Sequence, residues 1–287
     1  MDPLLEAPVE CLKLKNDILI CACRGRPPII TAWDLNSSKC IRTYLLESEQ
    51  SISALDYDGN IICAGSNSIY VWNSVSGHFL ITLQRRGEKM NITSIKILGN
   101  KTIISCCSLG SIIMWNWEKS EPLAIFPTSD GILCTQILNE GLERDHAYFD
   151  LICGSKSGNI NPFRIDKLKK YGEAQTPFKN LPYQEGSDWI GCVEIDKNHD
   201  IVIAGSWDSL IRIWDARDGS LKRFLQSDAP SAVLSIAKCE NVLVAGRYDG
   251  SISIWRFGEI SSKRSRSPRQ SMNESNNIIT DMFNRDF

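Results

Sequence analysis

One pattern recurs along the chain and constrains the fold more than any other: a short run of apolar, β-forming residues that ends in an aromatic side chain. Six such runs occur, and their aromatic residues are Trp33, Trp72, Trp115, Phe163, Trp214 and Trp255. They recur roughly every 40 to 50 residues, which is the length of one repeat unit in several repeat architectures. The two longer intervals lie on either side of Phe163 and predict inserted loops, one of them from Asn139 to Tyr148.

The six copies agree at other positions when they are aligned on the aromatic residue. Three residues earlier every copy has isoleucine, and eight or ten residues earlier every copy has a small side chain. The isoleucines are Ile30, Ile69, Ile112, Ile160, Ile211 and Ile252, and the small residues are Cys23, Ala64, Ser105, Cys153, Ala204 and Ala245. A strand position restricted to small residues is one that a neighbouring sheet approaches closely, so both columns predict core packing.

Turn residues separate the small residue from the isoleucine. The clearest turns are Asp208-Ser209 and Asp249-Gly250. Asp-Gly between two apolar runs is typical of a tight hairpin in which both central residues have positive φ. Each copy therefore reads as four short strands, and no stretch shows the sustained period of an amphipathic helix. We predict an all-β propeller with six recognisable four-stranded blades over residues 1–260, followed by a tail over residues 261–287.

The stretch from Ala204 to Asp215, which includes Trp207-Asp208 and Trp214-Asp215, resembles a repeat of the WD-repeat (Trp-Asp) β-propeller family, and Ala245 to Trp255 is similar. The resemblance implies a protein-interaction module over about residues 9–258. The chain departs from the family at the Gly-His that commonly opens each repeat. Gly77-His78 falls in the turn after an aromatic-ended strand, and Gly186-Ser187 stands where Gly-His is expected. We therefore expect the buried histidine network of the family to be absent.

The last copy is short of an outer strand, because only Arg256 to Ile260 follow Trp255 before a polar stretch begins. Three sources are open. Residues Pro3 to Ala7 or residues Asn277 to Phe283 would supply the strand, or a partner would donate a strand or a whole blade at the unpaired sheet edge.

Residues 261–276 are rich in Ser, Lys and Arg and have no buried-face period, which predicts a disordered tail. Its cations are Lys263, Arg264, Arg266 and Arg269. They suit nuclear import, RNA contact or simple solubilisation. Ser267, which precedes Pro268, is a phosphorylation candidate. The formal net charge of −2 gives no global attraction for anionic lipid or nucleic acid, so we expect no membrane binding and nucleic-acid contact only through the tail.

The sequence offers little for catalysis. His146 and His199 fall in predicted polar loops, with no nucleophile or metal-ligand cluster at a recognisable spacing. No GxxxxGK[ST] phosphate loop is present. We therefore expect no enzyme activity, no cofactor and no metal. Eleven cysteines, an odd number without paired metal-binding spacings, indicate reduced thiols and a cytoplasmic or nuclear location.

A partner-binding site is predicted at the rim. In the WD-repeat family the residue just before the turn aspartate lies at the rim of the narrower face, where peptides dock. Seven residues before the aromatic residue, this column holds Arg26, Ser108, Lys156, Trp207 and Tyr248. Because the column also accepts charged and small residues, its two large aromatics indicate exposed anchors, with Lys156 and Arg247 beside them.

Two functions remain open. The segments Asp56 to Ser66 and Asp188 to Asp196 are similar in style to propellers of F-box ubiquitin-ligase adaptors, which implies substrate recognition for ubiquitylation. However, no F-box helices are expected ahead of this propeller. The first-strand positions that often carry phosphate-binding Arg in that group are Ser53, Thr93, Leu133, Gly191 and Leu234. The alternative is an assembly scaffold in a larger complex, such as an RNA-processing or nuclear complex.

Overall fold

The computed structural model describes residues 8–25, 27–46, 51–85, 89–99, 101–143, 146–166, 188–196, 200–227 and 230–257. Within these ranges the chain forms 22 β-strands and no helix. The described residues therefore contain no helix that is long and apolar enough to cross a membrane.

The strands form six antiparallel sheets, numbered here in chain order. Sheet one contains β1 (Val9–Lys15), β2 (Ile18–Cys23), β3 (Ile29–Asp34) and β4 (Lys39–Leu45); sheet two contains β5 (Ala54–Tyr57), β6 (Ile61–Gly65), β7 (Ile69–Asn73) and β8 (Phe79–Leu83). Sheet three contains β9 (Ile92–Leu98), β10 (Thr102–Cys107), β11 (Ser111–Asn116) and β12 (Glu121–Pro127); sheet four contains β13 (Ile132–Glu143), β14 (His146–Ser155) and β15 (Ile160–Asp166). Sheet five contains β16 (Ile190–Asp196), β17 (Ile201–Ser206), β18 (Ile211–Asp215) and β19 (Leu221–Leu225); sheet six contains β20 (Val233–Cys239), β21 (Val242–Arg247) and β22 (Ile252–Arg256).

Each sheet packs face to face on the next sheet along the chain, and the first strands of consecutive sheets contact one another. The first strand of each sheet is therefore the inner strand, as in a propeller blade. Five hydrophobic clusters fill the five joints between consecutive sheets. The predicted all-β, six-blade propeller is confirmed.

The two faces of each sheet differ in composition. The forward face, towards the next sheet, carries the isoleucine column, for example Ile211 and Ile213 of sheet five. The rear face, towards the preceding sheet, carries the small column and the aromatic residue, for example Ala245 and Trp255 of sheet six. Every joint thus places a forward face against a rear face, which gives the stack a direction.

A β-branched side chain at or just before the start of each inner strand closes the joints. We call it the key residue; the keys are Val9, Ile52, Ile92, Ile132, Ile190 and Val233. Ile92 packs against Gly65 so closely that a Cβ on that glycine would lie 2.8 Å from Ile92 Cγ2. A Cβ on Gly205 would likewise overlap Val233. A glycine on the forward face therefore serves as the seat for the next key.

Sheets four and six have three strands each among the described residues. Residues 258–287, which follow β22, lie outside the described part of the chain, so the missing outer strand of the last blade stays a prediction. Several expectations fall outside the described residues: the two chain segments that would supply the strand, Pro3 to Ala7 and Asn277 to Phe283, the basic tail with Ser267, and His199.

The hairpin turns correct the prediction that both central residues have positive φ. Only the second residue does, at Ser209 (φ 75°) and Gly250 (φ 82°). Asp208 and Asp249 instead accept backbone hydrogen bonds, from Leu210 N and Ser251 N, both at 3.0 Å. The turn is a type I turn closed by a left-handed residue, which extends the loop beyond two residues.

Two further expectations are wrong. In sheet one the residue paired across from Thr31 is Cys21, so Cys21 and not Cys23 occupies the small column. The connection between β2 and β3 is longer by two residues than in the other sheets, and the alignment had not allowed for that. The predicted loop from Asn139 to Tyr148 is mostly strand, because β13 and β14 continue as a long hairpin in which Glu143 pairs with His146.

The isoleucine column is buried in sheets one to five, as predicted. Ile252 of sheet six is the exception, with 68% of its surface exposed. Its expected role as a core residue is therefore wrong in this structure. The aromatic column is buried at Trp72, Trp115, Trp214 and Trp255, whereas Trp33 and Phe163 are partly exposed.

Candidate functional site

One hydrogen bond fixes the rim in five of the six sheets. The amide of the residue that begins the turn after the second strand donates to the carbonyl of the residue just before the inner strand. The pairs are Arg24 with Pro8 (2.8 Å), Ser108 with Asn91 (3.1 Å), Lys156 with Gly131 (3.0 Å), Trp207 with Trp189 (2.9 Å) and Tyr248 with Ala232 (3.0 Å). These residues therefore lie at the same end of their sheets.

This pattern changes the member from sheet one. Arg24, not Arg26, makes the hydrogen bond, because the longer connection shifts the register by two residues. Arg26 itself lies outside the described residues. Arg24 is exposed and forms an ion pair with Glu10, with Nε 2.7 Å from Oε1. A cation is thus present at this part of the rim, although it is not the one that the sequence indicated.

Two tryptophans form the most distinctive surface of the rim. The indole rings of Trp189 and Trp207 lie with centroids 5.0 Å apart and planes tilted by 46°. Their exposed fractions are 40% and 41%. The Lys156 ammonium lies 6.0 Å from the centre of the Trp189 ring, at the outer range of a cation–π contact. We call Lys156, Trp189 and Trp207 the rim cluster.

The local backbone holds the rim cluster in place. The hydrogen bond from Trp207 N to Trp189 O ties together the ends of two strands of sheet five. A Cβ on Gly191 would lie 3.2 Å from Trp207 Nε1, so the glycine lets the indole lie flat over the inner strand. The tryptophans are therefore held as a pair in the absence of a ligand, which lowers the entropy lost on binding.

Sequence reasoning found Trp207 and missed Trp189. The missed signal is of the same kind: the position before the key residue holds small or polar residues, or proline, in the other sheets. These residues are Pro8, Ser51, Asn91, Gly131 and Ala232. A large aromatic in such a column is an exposed aromatic, for the reason that applied to Trp207.

Tyr248 occupies the rim position of sheet six and is 75% exposed. Arg247, its neighbour, differs from the expectation of a surface contact because it is only 4% exposed. Its guanidinium donates to Ser231 O at 2.7 Å, to Ser209 O at 3.3 Å and to Ser253 Oγ at 3.0 Å. Arg247 thus ties sheet six to the turn of sheet five beneath the rim.

A second polar feature, also missed from the sequence, runs across the inner strands. Each of the first five sheets places one polar residue at the same register: Lys13, Asp56, Lys96, Gln136 and Glu194. Lys13 pairs with Asp56 at 3.4 Å, and Gln136 accepts from Lys96 at 2.7 Å and donates to Glu194 at 3.2 Å.

This inner polar row has perturbed acidities. Burial, followed by the positive charge of Lys13, lowers the pKa of Lys96 to about 8. Burial also raises the pKa of Glu194. Each of these side chains already has a polar partner within the row, which indicates a structural network between sheets.

Potential metal ligands do not cluster in the part of the chain that the structure describes. There, no three His, Cys, Asp or Glu side chains lie close enough together to hold a metal ion. His78 is exposed in the turn after β7, where the sequence placed it. All eleven cysteines are free, and burial raises the pKa of Cys11 to about 11 and of Cys192 to about 12, which keeps these thiols protonated.

Comparisons with known proteins agree with this fold. The family model described as "WD domain, G-beta repeat" matches residues 178–215, which include β16 to β18. The WD repeat-containing protein pop2 of Schizosaccharomyces pombe is 26% identical over 185 residues, covering 58% of this chain and 26% of pop2. The family match, the relative and the six-sheet fold together support a WD-repeat β-propeller. It spans about a quarter of the length of that relative.

A solved structure extends the comparison of the WD-repeat propeller to the whole fold. The crystal structure of the computationally designed Ika8 protein matches with a TM-score of 0.61 and 19% sequence identity. The match covers 86% of this chain and 83% of Ika8. At this identity the likeness concerns the fold alone. WD-repeat propellers are in general protein-interaction modules, and an exposed aromatic pair at the rim suits contact with a partner protein.

Proposed function

We propose that this WD-repeat propeller is a non-enzymatic protein-interaction module that binds partner segments at the rim. Trp189, Trp207 and Tyr248 are the anchors, and Lys156 supplies the charge. The observation that supports this most is the rim cluster, in which two half-exposed indole rings are held together beside a cation. Large exposed aromatics of this kind dominate the binding energy of many interfaces.

The chemistry of the rim cluster defines the segment that it would bind. The indole faces offer apolar surface to an aromatic or aliphatic side chain, and the Lys156 ammonium favours a carboxylate beside it. An extended peptide with an apolar residue next to Asp or Glu fits both. We therefore place the segment across the turns of sheets four and five.

Within this role we propose substrate recognition or adaptor function in a ubiquitin ligase. The support is the similarity in style of residues 56–66 and 188–196 to propellers of F-box adaptors. The chain is not suited to read a phosphorylated signal at the first-strand positions, because Ser53 and Thr93 already donate their hydroxyls to backbone carbonyls. The recognised segment is therefore an acidic and apolar one rather than a phosphopeptide.

An assembly scaffold is the second candidate, in a larger complex such as an RNA-processing or nuclear complex. One observation favours it: apolar side chains are also exposed outside the rim cluster, on β1 and β22, so the propeller offers more than one contact surface. The reduced thiols suit a cytoplasmic or nuclear location in both roles.

The double variant Trp207→Ala with Tyr248→Ala tests the rim. Because both side chains are exposed, the free energy of unfolding should change by only about 0.5 kcal/mol. A partner that uses the rim should bind roughly thirty-fold more weakly, since truncating a hot-spot aromatic costs about 2 kcal/mol or more. Thermal denaturation and titration calorimetry with the purified partner measure the two effects.

Leu109→Ala is the matched control, because Leu109, on the turn of sheet three, is as exposed as Tyr248 but lies outside the rim cluster. It should leave both properties unchanged. If the double variant unfolds, or if its partners bind with undiminished affinity, the rim proposal is wrong. Quantitative comparison of the proteins that co-purify with wild type and double variant separates the two roles, because ligase subunits and scaffold partners are different sets.

A further inference from the structure

The joints between consecutive sheets share a three-part design. The key residue of one sheet sits against a small residue or glycine on the preceding sheet, and the isoleucine column covers it. In four of the five joints a side chain on the preceding inner strand also donates to the carbonyl of the key residue. The donors that do so are Cys11 to Ile52 O (3.7 Å), Ser53 to Ile92 O, Thr93 to Ile132 O (2.6 Å) and Cys134 to Ile190 O (3.5 Å).

The forward face of sheet six carries the same design without an occupant among the described residues. Ile252 and Ile254 are 68% and 51% exposed, whereas Ile211 and Ile213 at the same positions in sheet five are buried. A Cβ on Gly246 would meet only the Ser235 hydroxyl, and no key residue from another sheet. Gly246 is therefore an open seat.

The hydrogen-bond donor of this joint is also present and unused. Ser235 pairs with Gly246 across the strands, as Cys134 pairs with Gly154 in sheet four. Its hydroxyl is exposed and has no hydrogen-bond partner among the described residues. A carbonyl of an incoming key residue would satisfy it.

The rear face of sheet one has the opposite half of the design. The keys of sheets two to six are buried, but Val9 is 52% exposed. Leu12 is 55% exposed, whereas Leu55, Ile95 and Val193 at the same register are buried. The indole of Trp33 is also more exposed than those of the other aligned tryptophans. The key residue of sheet one, Val9, therefore has no seat on another sheet among the described residues.

We infer that a partner chain inserts one further antiparallel sheet of the same repeat type between sheets six and one, in what we call the open joint. The inserted sheet would place a β-branched key on Gly246 and its carbonyl on Ser235. It would offer Val9 a glycine or alanine seat beneath an isoleucine. This proposal goes beyond the rim and does not depend on it.

The rest of the sequence does not contain such a sheet. Residues 1–7 and 258–287 include one apolar run of strand length, residues 277–283, whereas each four-stranded sheet uses a continuous stretch such as 190–225 with three turns. A single strand would extend one edge and leave both apolar faces exposed. A complete sheet covers both faces, so we assign the open joint to a sheet of a partner rather than to either of these segments.

A second copy of residues 188–227, inserted between Phe257 and Gly258 of the full chain, serves as a stand-in for the partner's sheet. Cys239 is the reporter, because it is exposed and shares the forward face of sheet six with Val242. In the inserted protein the reaction of Cys239 with a maleimide should be slower by a factor of about ten or more. The melting temperature should also rise.

Gly246→Val is the variant that isolates the seat. In the wild-type chain it should have little effect, because only the Ser235 hydroxyl must move. In the inserted protein it should restore the fast reaction of Cys239 and cancel the rise in melting temperature. Gly205→Val, at the equivalent filled seat, should destabilise both proteins and is the matched control.

Four outcomes would overturn the proposal. In the wild type, Cys239 would react as slowly as the buried Cys63 if sheet six already closes on sheet one. Concentration-dependent protection with a doubled mass in light scattering would assign the joint to a second copy. If Ile279→Asp makes Cys239 react faster, the chain's own tail already occupies the open joint. Unchanged reactivity and melting temperature in the inserted protein would show that the open joint accepts no sheet.

Discussion

Sheets five and six are neighbouring copies of one repeat, and they differ in what covers them. Their rear faces are alike, with Trp214 and Trp255 both buried against the preceding sheet. Their forward faces contain the same types of residue, but Ile211 is buried and Ile252 is exposed. Burial of a repeat position therefore depends on the neighbouring sheet as much as on the residue itself.

The rear faces should respond equally to truncation, and this is the largest effect that we expect. Trp214→Ala and Trp255→Ala each remove a buried indole and should each lower the free energy of unfolding by about 3–5 kcal/mol. Urea denaturation measures both. If Trp255→Ala costs far less than Trp214→Ala, sheet six is loosely packed on both faces and the contrast between its faces is wrong.

The forward faces should respond differently. Ile211→Ala opens a cavity in the joint between sheets five and six and should cost about 2–5 kcal/mol. Ile252→Ala removes a side chain that is already exposed, so the cost should stay within about 0.5 kcal/mol. The same denaturation experiment checks the pair. Equal losses would mean that another part of the molecule covers Ile252 in solution.

The smallest expected difference concerns the acidic residue after the aromatic column. Asp215 of sheet five receives hydrogen bonds from Arg217 and Lys222, both at 2.9 Å. The hydrogen bond from Arg217 is the main reason that the pKa of this carboxyl lies well below its usual range. A lowered pKa stabilises the fold above the unfolded value of about 3.9, and the gain is lost as pH falls through the folded value. Asp215→Asn should thus lower the melting temperature at pH 7, and the deficit should shrink below about pH 4.

Arg256 holds the same position in sheet six and provides the control, because it is not a carboxyl group. Arg256→Gln should shift the melting temperature by a similar amount at every pH between 3 and 7 (about the range in which carboxyls titrate). A deficit for Asp215→Asn that persists at low pH would show that the carboxylate contributes through geometry rather than charge.

The sequence predicted the repeat and the four short strands that form sheet five. It predicted the exposed Trp207 and Tyr248, because a column that tolerates Ser, Lys and an aromatic is a surface column. It did not predict the rim position of Arg24 or the small-column position of Cys21. Both errors come from one cause, since a turn that is longer by two residues shifts the register without changing the pattern on either side.

Two further features required the structure. Arg247 has the composition of a surface residue, and only the carbonyls of Ser209 and Ser231 around its guanidinium explain its burial. Ile252 has the composition of a core residue, and only the lack of a covering sheet among the described residues explains its exposure. In both cases the neighbours that decide burial are distant in sequence, so a single repeat carries no information about them.

Ser209 shows how one turn affects the joint beyond it. Gly110, Gly158 and Gly250 adopt positive φ at this position without a side chain to obstruct them, whereas Ser209 holds φ 75° with one. A left-handed conformation at a non-glycine residue is strained by about 1 kcal/mol or more. The carbonyl of Ser209 is one of the oxygens that bind the Arg247 guanidinium. One residue therefore both bears the conformational cost of the turn in sheet five and supplies an oxygen that fastens sheet six to it.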